Sequence, residues 1–109
     1  MQRLIKEVNT LVSDEYALNS QKLGPVSHSD YESVAILREE VEELRDSFAD
    51  IVNECERFWK FVKTNAPSVE KKQSLKRIRQ DGILTACEAI QVAAMAYKAI
   101  QTIDSRGEQ

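Results

Sequence analysis

Residues 29–62, SDYESVAILREEVEELRDSFADIVNECERFWKFV, decide the fold class. Apolar side chains recur there at Val34, Leu37, Val41, Leu44, Phe48, Ile51, Cys55, Phe58 and Val62, in steps that alternate three and four. Such spacing keeps one stripe of an α-helix apolar and is the pattern of a coiled-coil seam. Ser29 followed by Glu32 has the capping-box form and marks the start, while Asn65, Ala66 and Pro67 mark the end. The expectation is one helix of about 35 residues, about 50 Å long.

Outward from this helix the pattern stays helical. Upstream, Leu4, Ile5, Val8, Leu11, Val12 and Leu18 share one helical face until Gly24 and Pro25 interrupt it. Downstream, Ser68 is placed to cap a third helix, with Gly82 as a candidate bend. Residues 83–97, ILTACEAIQVAAMAY, are apolar except at Thr85, Glu88 and Gln91, so most of that circumference needs a partner. No alternating β-branched run and no internal repeat is present. The fold class is therefore all-α: a long-helix bundle forming one domain over residues 1–104, with a frayed tail at 105–109. So few helices cannot cover the third on all sides, and a homodimer or homotetramer is expected to complete the bundle. The competing reading is a monomeric three-helix bundle with Asp81, Thr85, Glu88, Gln91 and Lys98 as its solvated edge.

The chain has 109 residues, 42% of them hydrophobic and 30% charged, which fits one folded domain and excludes collagen-like and disordered classes. The start, MQRLIKEVNT, lacks the apolar core of a signal peptide, and no apolar run nears the roughly 18 residues of a membrane span, so no membrane partner is expected. A cytoplasmic location follows as the expectation, with Cys55 and Cys87 reduced and buried as small apolar residues. The net charge of −3 hides a segregation. Residues 28–58 carry ten acids and three bases, whereas residues 59–80 carry seven bases and one acid.

Within the acidic half, a helix stacks Glu39 over Glu43 and sets Glu40 beside Glu43. Like charges so spaced oppose the helix by about 0.2–0.5 kcal/mol per pair unless something neutralises them. A hard divalent cation does this with oxygen ligands. Glu88 stands in the most apolar stretch of the chain and also needs a partner, either a cation shared with Glu40 and Glu43 or a lysine or arginine.

These residues resemble the MazG-like all-α nucleotide pyrophosphohydrolases, whose signature is E-E-x-x-E on one helix and E-x-x-D on a later one. Glu39-Glu40-x-x-Glu43 matches the first half, and Glu88-Ala-Ile-Gln91 matches the second with an amide at the aspartate position. The wider stretches HSDYESVAILREEVEEL and CEAIQVAAMAYKAI look like a phage or bacterial branch of that family, and the resemblance spans roughly residues 16–101. It implies an Mg²⁺ or Mn²⁺ ion held by Glu40, Glu43, Glu88 and Gln91. Glu39 would be a further ligand or the group orienting a water, and Lys98 a contact to phosphate. The implied reaction cleaves the α–β anhydride of a nucleoside triphosphate to a monophosphate and pyrophosphate. Gln91 in place of aspartate weakens the implied ion site, and the 44 residues between Glu43 and Glu88 exceed the connection of compact members.

The competing functional reading is a non-catalytic helical interaction protein whose acidic face meets a basic partner. The two part at the carboxylates, because only the enzyme requires Glu40, Glu43 and Glu88 to converge. Nucleic-acid binding through the basic residues 71–79 is disfavoured by the pI of about 5.2 and the lack of interleaved aromatics. His28, the one histidine, reads as a loop residue. Glycine-rich phosphate loops, Cys-x-x-Cys pairs and Ser/His/Asp sets are absent.

Overall fold

The turn after α2 shows how closely the chain's punctuation sets its geometry. Asn65 sits at φ +50°, in the left-handed region that asparagine tolerates. There its N–H donates to the Val62 carbonyl (3.2 Å), and the Ala66 N–H donates to the Phe61 carbonyl (2.8 Å). This pair of bonds is a Schellman ending, with Pro67 behind it to prevent continuation. The computed structural model describes residues 1–107 and contains three helices: α1 (Gln2–Leu23), α2 (Asp30–Lys63) and α3 (Ser68–Ser105).

The start of α2 is as expected in one half. Ser29 Oγ accepts from the Glu32 N–H at 3.1 Å, but the Glu32 carboxylate turns to the His28 N–H (3.4 Å). α1 stops at Gly24, whose φ of +91° only glycine adopts without strain. The loop is tied down by Tyr16 Oη donating to the Pro25 carbonyl and by the Ser27 N–H donating to Thr102 Oγ1. Two local expectations change. Pro67, not Ser68, is the N-cap of α3, its carbonyl accepting from Glu70 and Lys71. Gly82 does not interrupt α3, which runs unbroken through it. Beyond Ser105 the Arg106 Nη2 donates to Asp30 Oδ1 at 2.8 Å, and residues 108–109 of the expected frayed tail lie outside the described residues.

α2 and α3 form an antiparallel hairpin, its register fixed by Ser74 Oγ donating to Glu54 Oε1 at 3.0 Å. Besides Glu32 and Ile36 in its first turns, the residues of α2 turned away from solvent form the series Ser33, Leu37, Glu40, Leu44, Ser47, Ile51, Glu54, Phe58 and Phe61. Their steps again alternate four and three, but the stripe is rotated from the expected one. Leu37, Leu44, Ile51 and Phe58 face inward as anticipated, whereas Val34, Val41, Phe48, Cys55 and Val62 are exposed. The reason lies on α3, whose matching positions include Ser74, Asp81, Thr85, Glu88 and Thr102. Polar side chains there meet the polar flank of the α2 stripe.

α1 runs parallel to the second half of α3. Gln91 Nε2 donates to Glu15 Oε2 (2.6 Å), Lys98 Nζ donates to Asn19 Oδ1 (2.6 Å), and the Tyr16 and Tyr97 rings meet edge-on at 4.7 Å. Among the described residues α1 and α2 do not pack on each other, so α3 is the shared partner. Asp81, Thr85, Glu88, Gln91 and Lys98 face these partners and do not form a solvated edge. The expectation of buried cysteines fails: Cys55 lies on the outward flank of α2, and Cys87 too is exposed. Among the described residues only Ala94 and Met95 are buried apolar residues. α3 is, among the described residues, the one helix long and apolar enough to cross a bilayer by length and composition, a property that the central helix of a bundle shares and that reading short runs overlooks.

Candidate metal centre

The hairpin register that joins Glu54 to Ser74 also brings the acidic turn of α2 level with the apolar part of α3. Glu40 faces α3, Glu43 follows one turn later on the exposed side, and Glu88 comes across from α3. One carboxylate oxygen from each lies within 4.8 Å of the others. An octahedral Mg²⁺ with bonds of about 2.1 Å takes oxygens about 3–4 Å apart, so modest side-chain rotations would close this set around one ion.

The electrostatics match a site short of positive charge. The Glu40 carboxyl is held above its ordinary pKa, first by burial and then by the charges of Glu43, Glu88 and Glu39. Among the described residues no lysine or arginine pairs with Glu40, Glu43 or Glu88, since the ion pairs are Arg3–Glu7, Arg57–Glu54, Arg77–Glu54 and Arg106–Asp30. A salt bridge for Glu88 is therefore not realised. Three acids facing one point with no cationic side chain beside them is an unfavourable arrangement, and the half-burial of Glu40 and Glu88 adds to it.

The remaining sequence-derived residues fall around this cluster unevenly. Glu39 is exposed and outside the converging set, although its charge acts on Glu40. Gln91 lies one turn beyond Glu88, with its amide nitrogen engaged by Glu15 on α1. Lys98 is 3% exposed and donates to Asn19. Ten residues of helix, about 15 Å, separate it from Glu88, so its ammonium is closed to a phosphate at the cluster in this arrangement. Glu15 is the residue the sequence did not single out. It lines a cavity of about 330 Å³ with Leu11, Asp14, Cys87, Ile90 and Gln91, and its only sequence signal is an acid at the edge of the apolar face of α1.

Comparison with protein-family models, with curated proteins and with solved structures returned no match to this chain.

Proposed function

We propose that this protein is a MazG-like, Mg²⁺- or Mn²⁺-dependent nucleoside triphosphate pyrophosphohydrolase. The observation that carries the reading is the convergence of Glu40, Glu43 and Glu88 from two helices, within 4.8 Å and without a cationic side chain. Their all-oxygen donor set suits a hard cation. When bound, such an ion supplies Lewis acidity and a template for in-line attack at a phosphate.

The protein's own groups then have separate tasks. Glu40 and Glu88, half-buried, fix the cation against the hairpin, and Glu43, exposed, leaves the outer side open to a triphosphate. Glu39 stands beside them to orient a water. Gln91 is held toward α1 by Glu15 and contributes at most a neutral oxygen, so the cation is bound more weakly than an aspartate there would allow. Lys98 acts on the placement of α1 through Asn19.

The test is pyrophosphate release from nucleoside triphosphates by purified protein with Mg²⁺ or Mn²⁺. Glu40→Gln, Glu43→Gln and Glu88→Gln should each lower the rate by at least tenfold while helicity is kept. Orthophosphate as the product would reject the reaction. Absence of both turnover and any metal-dependent rise in Tm would favour the helical interaction protein instead, a reading supported by the apolar surface that the fold leaves uncovered.

A further inference from the structure

A second surface is built by the flank of α2 that the hairpin does not use. Val34, Val41, Phe48, Val52, Trp59 and Val62 form an apolar stripe on it, interrupted by Arg38 and Arg45, between 43% exposed at Val62 and 57% at Phe48. With Arg38, Arg45 and Cys55 at the intervening positions, the stripe follows an alternation of four and three, so it offers a second heptad-spaced surface along the helix, apolar at six of its nine positions and polarised by two arginines. An open groove of about 420 Å³ between Val34 and Arg45 continues it, bordered by Arg38 and Glu42. The whole molecule carries the mark of a missing neighbour. Its surface of 8209 Å² exceeds by about 2,100 Å² what a compact 12.4 kDa protein exposes, and its radius of gyration of 18.3 Å exceeds the roughly 13 Å expected at this length. That excess matches the area each chain loses in an obligate homodimer, about 1,000–2,500 Å².

We infer that this stripe is the seat of a second copy of the chain, with the two α2 helices antiparallel. Charge selects the orientation. A parallel pair would set Arg38 against the partner's Arg38, Arg45 against the partner's Arg45 and Glu42 against the partner's Glu42, placing like charges in and beside an apolar seam. It would also lay one acidic half, residues 39–50, along the other. The antiparallel pair lays that acidic half along the segment holding Arg57, Lys60 and Lys63. In the register that opposes Phe48 to the partner's Val52, Val41 meets the partner's Trp59. Arg45 then falls beside the partner's Glu56, and Glu42 comes within reach of the partner's Lys63. Arg45 and Glu42 thus gain opposite neighbours and Val41, Phe48, Val52 and Trp59 stack on apolar side chains, while Arg38 falls against the partner's Val62. The surface lies on a different flank of α2 from Glu39 and Glu43, so it stands independently of the carboxylate reading.

The experiment joins mass with cross-linking. Sedimentation of the wild-type chain at tens of micromolar should give twice the 12.4 kDa chain mass, and Phe48→Glu should shift the midpoint of association upward by at least a hundredfold. Orientation is read in a Cys55→Ser, Cys87→Ser background, from separately tagged Val41→Cys and Trp59→Cys chains. Oxidation should link the two tags when they are mixed and leave each variant alone unlinked. A larger assembly that still forms this link also supports the interface. A fully helical monomer at 100 µM overturns the proposal, as does a Val41→Cys homodimer or a wild-type Cys55–Cys55 link, and so does an oligomer in which the mixed link never forms. Because the linkage is scored on helical, assembled protein, a Phe48→Glu chain that fails to fold does not decide the outcome.

Discussion

Replacing Glu88 by glutamine should stabilise the metal-free protein and remove most of its response to Mg²⁺. At the 4.8 Å that bounds the carboxylate separations, two unit charges repel by about 1 kcal/mol in water and about 3.5 kcal/mol at an effective dielectric of about 20. Glu43 is exposed, so the lower end applies to its pairs. Glu88→Gln deletes two of the three mutual repulsions and should gain about 1–2 kcal/mol at pH 7 and low ionic strength, a Tm rise of several degrees for a domain of this size. The pH dependence fixes the sign. Glu40 has its pKa raised in the folded state, so the folded chain holds that proton more tightly than the unfolded one. The penalty is absent in acid and grows as pH rises through the unfolded and then the folded pKa. The advantage of Glu88→Gln should therefore vanish below the carboxylate range and be complete above it. With Mg²⁺ at about a hundred times its Kd the wild type should gain about 2.7 kcal/mol, and the variant little. Thermal melts at one fixed protein concentration, with and without metal between pH 3 and 8, measure all of this. A strong destabilisation of the metal-free variant, with the metal shift intact, would refute the reasoning and make Glu88 a structural partner of some other group.

Two further predictions test neighbouring assignments. Lys98→Met removes an ammonium that is 3% exposed and has Asn19 as its hydrogen-bond partner; stability in urea should change by no more than about 1 kcal/mol, and pyrophosphate release should not change, whereas lost turnover in a helical protein would place Lys98 on the substrate. Gly82→Ala should raise stability by about 0.5–1 kcal/mol in the same assay, because a Cβ there meets nothing within 4 Å on an unbroken helix; a loss would mean that another chain packs against that face.

What could be read from the sequence was local, and what could not was relational. The length of α2, its Ser29 cap and its stop near Asn65 all follow from bonds within a few residues, and they stand. Cys55 was misplaced because a stripe of period three and four says that a flank will be covered, not which helix will cover it. That choice depended on α3, whose Ser74, Asp81 and Glu88 select the flank of α2 bearing Ser47 and Glu54. The carboxylate cluster was legible for a related reason. An acid in an apolar segment and a run of repelling acids each signal an absent partner, and two such signals in an antiparallel hairpin have few ways to miss each other. Glu15 gave no such signal, since only the parallel docking of α1 on α3 turns it from a surface acid into the acceptor for Gln91. The same selection explains why the carboxylate cluster and the uncovered surface share one helix. By taking the polar flank of α2 into the hairpin, α3 brings Glu88 to Glu40 and Glu43 and thereby leaves Val41 and Phe48 facing out. A sequence that put valine at position 40 and glutamate at 41 would bury more apolar surface within one chain, and it would take Glu40 out of the cluster and Val41 out of the exposed stripe.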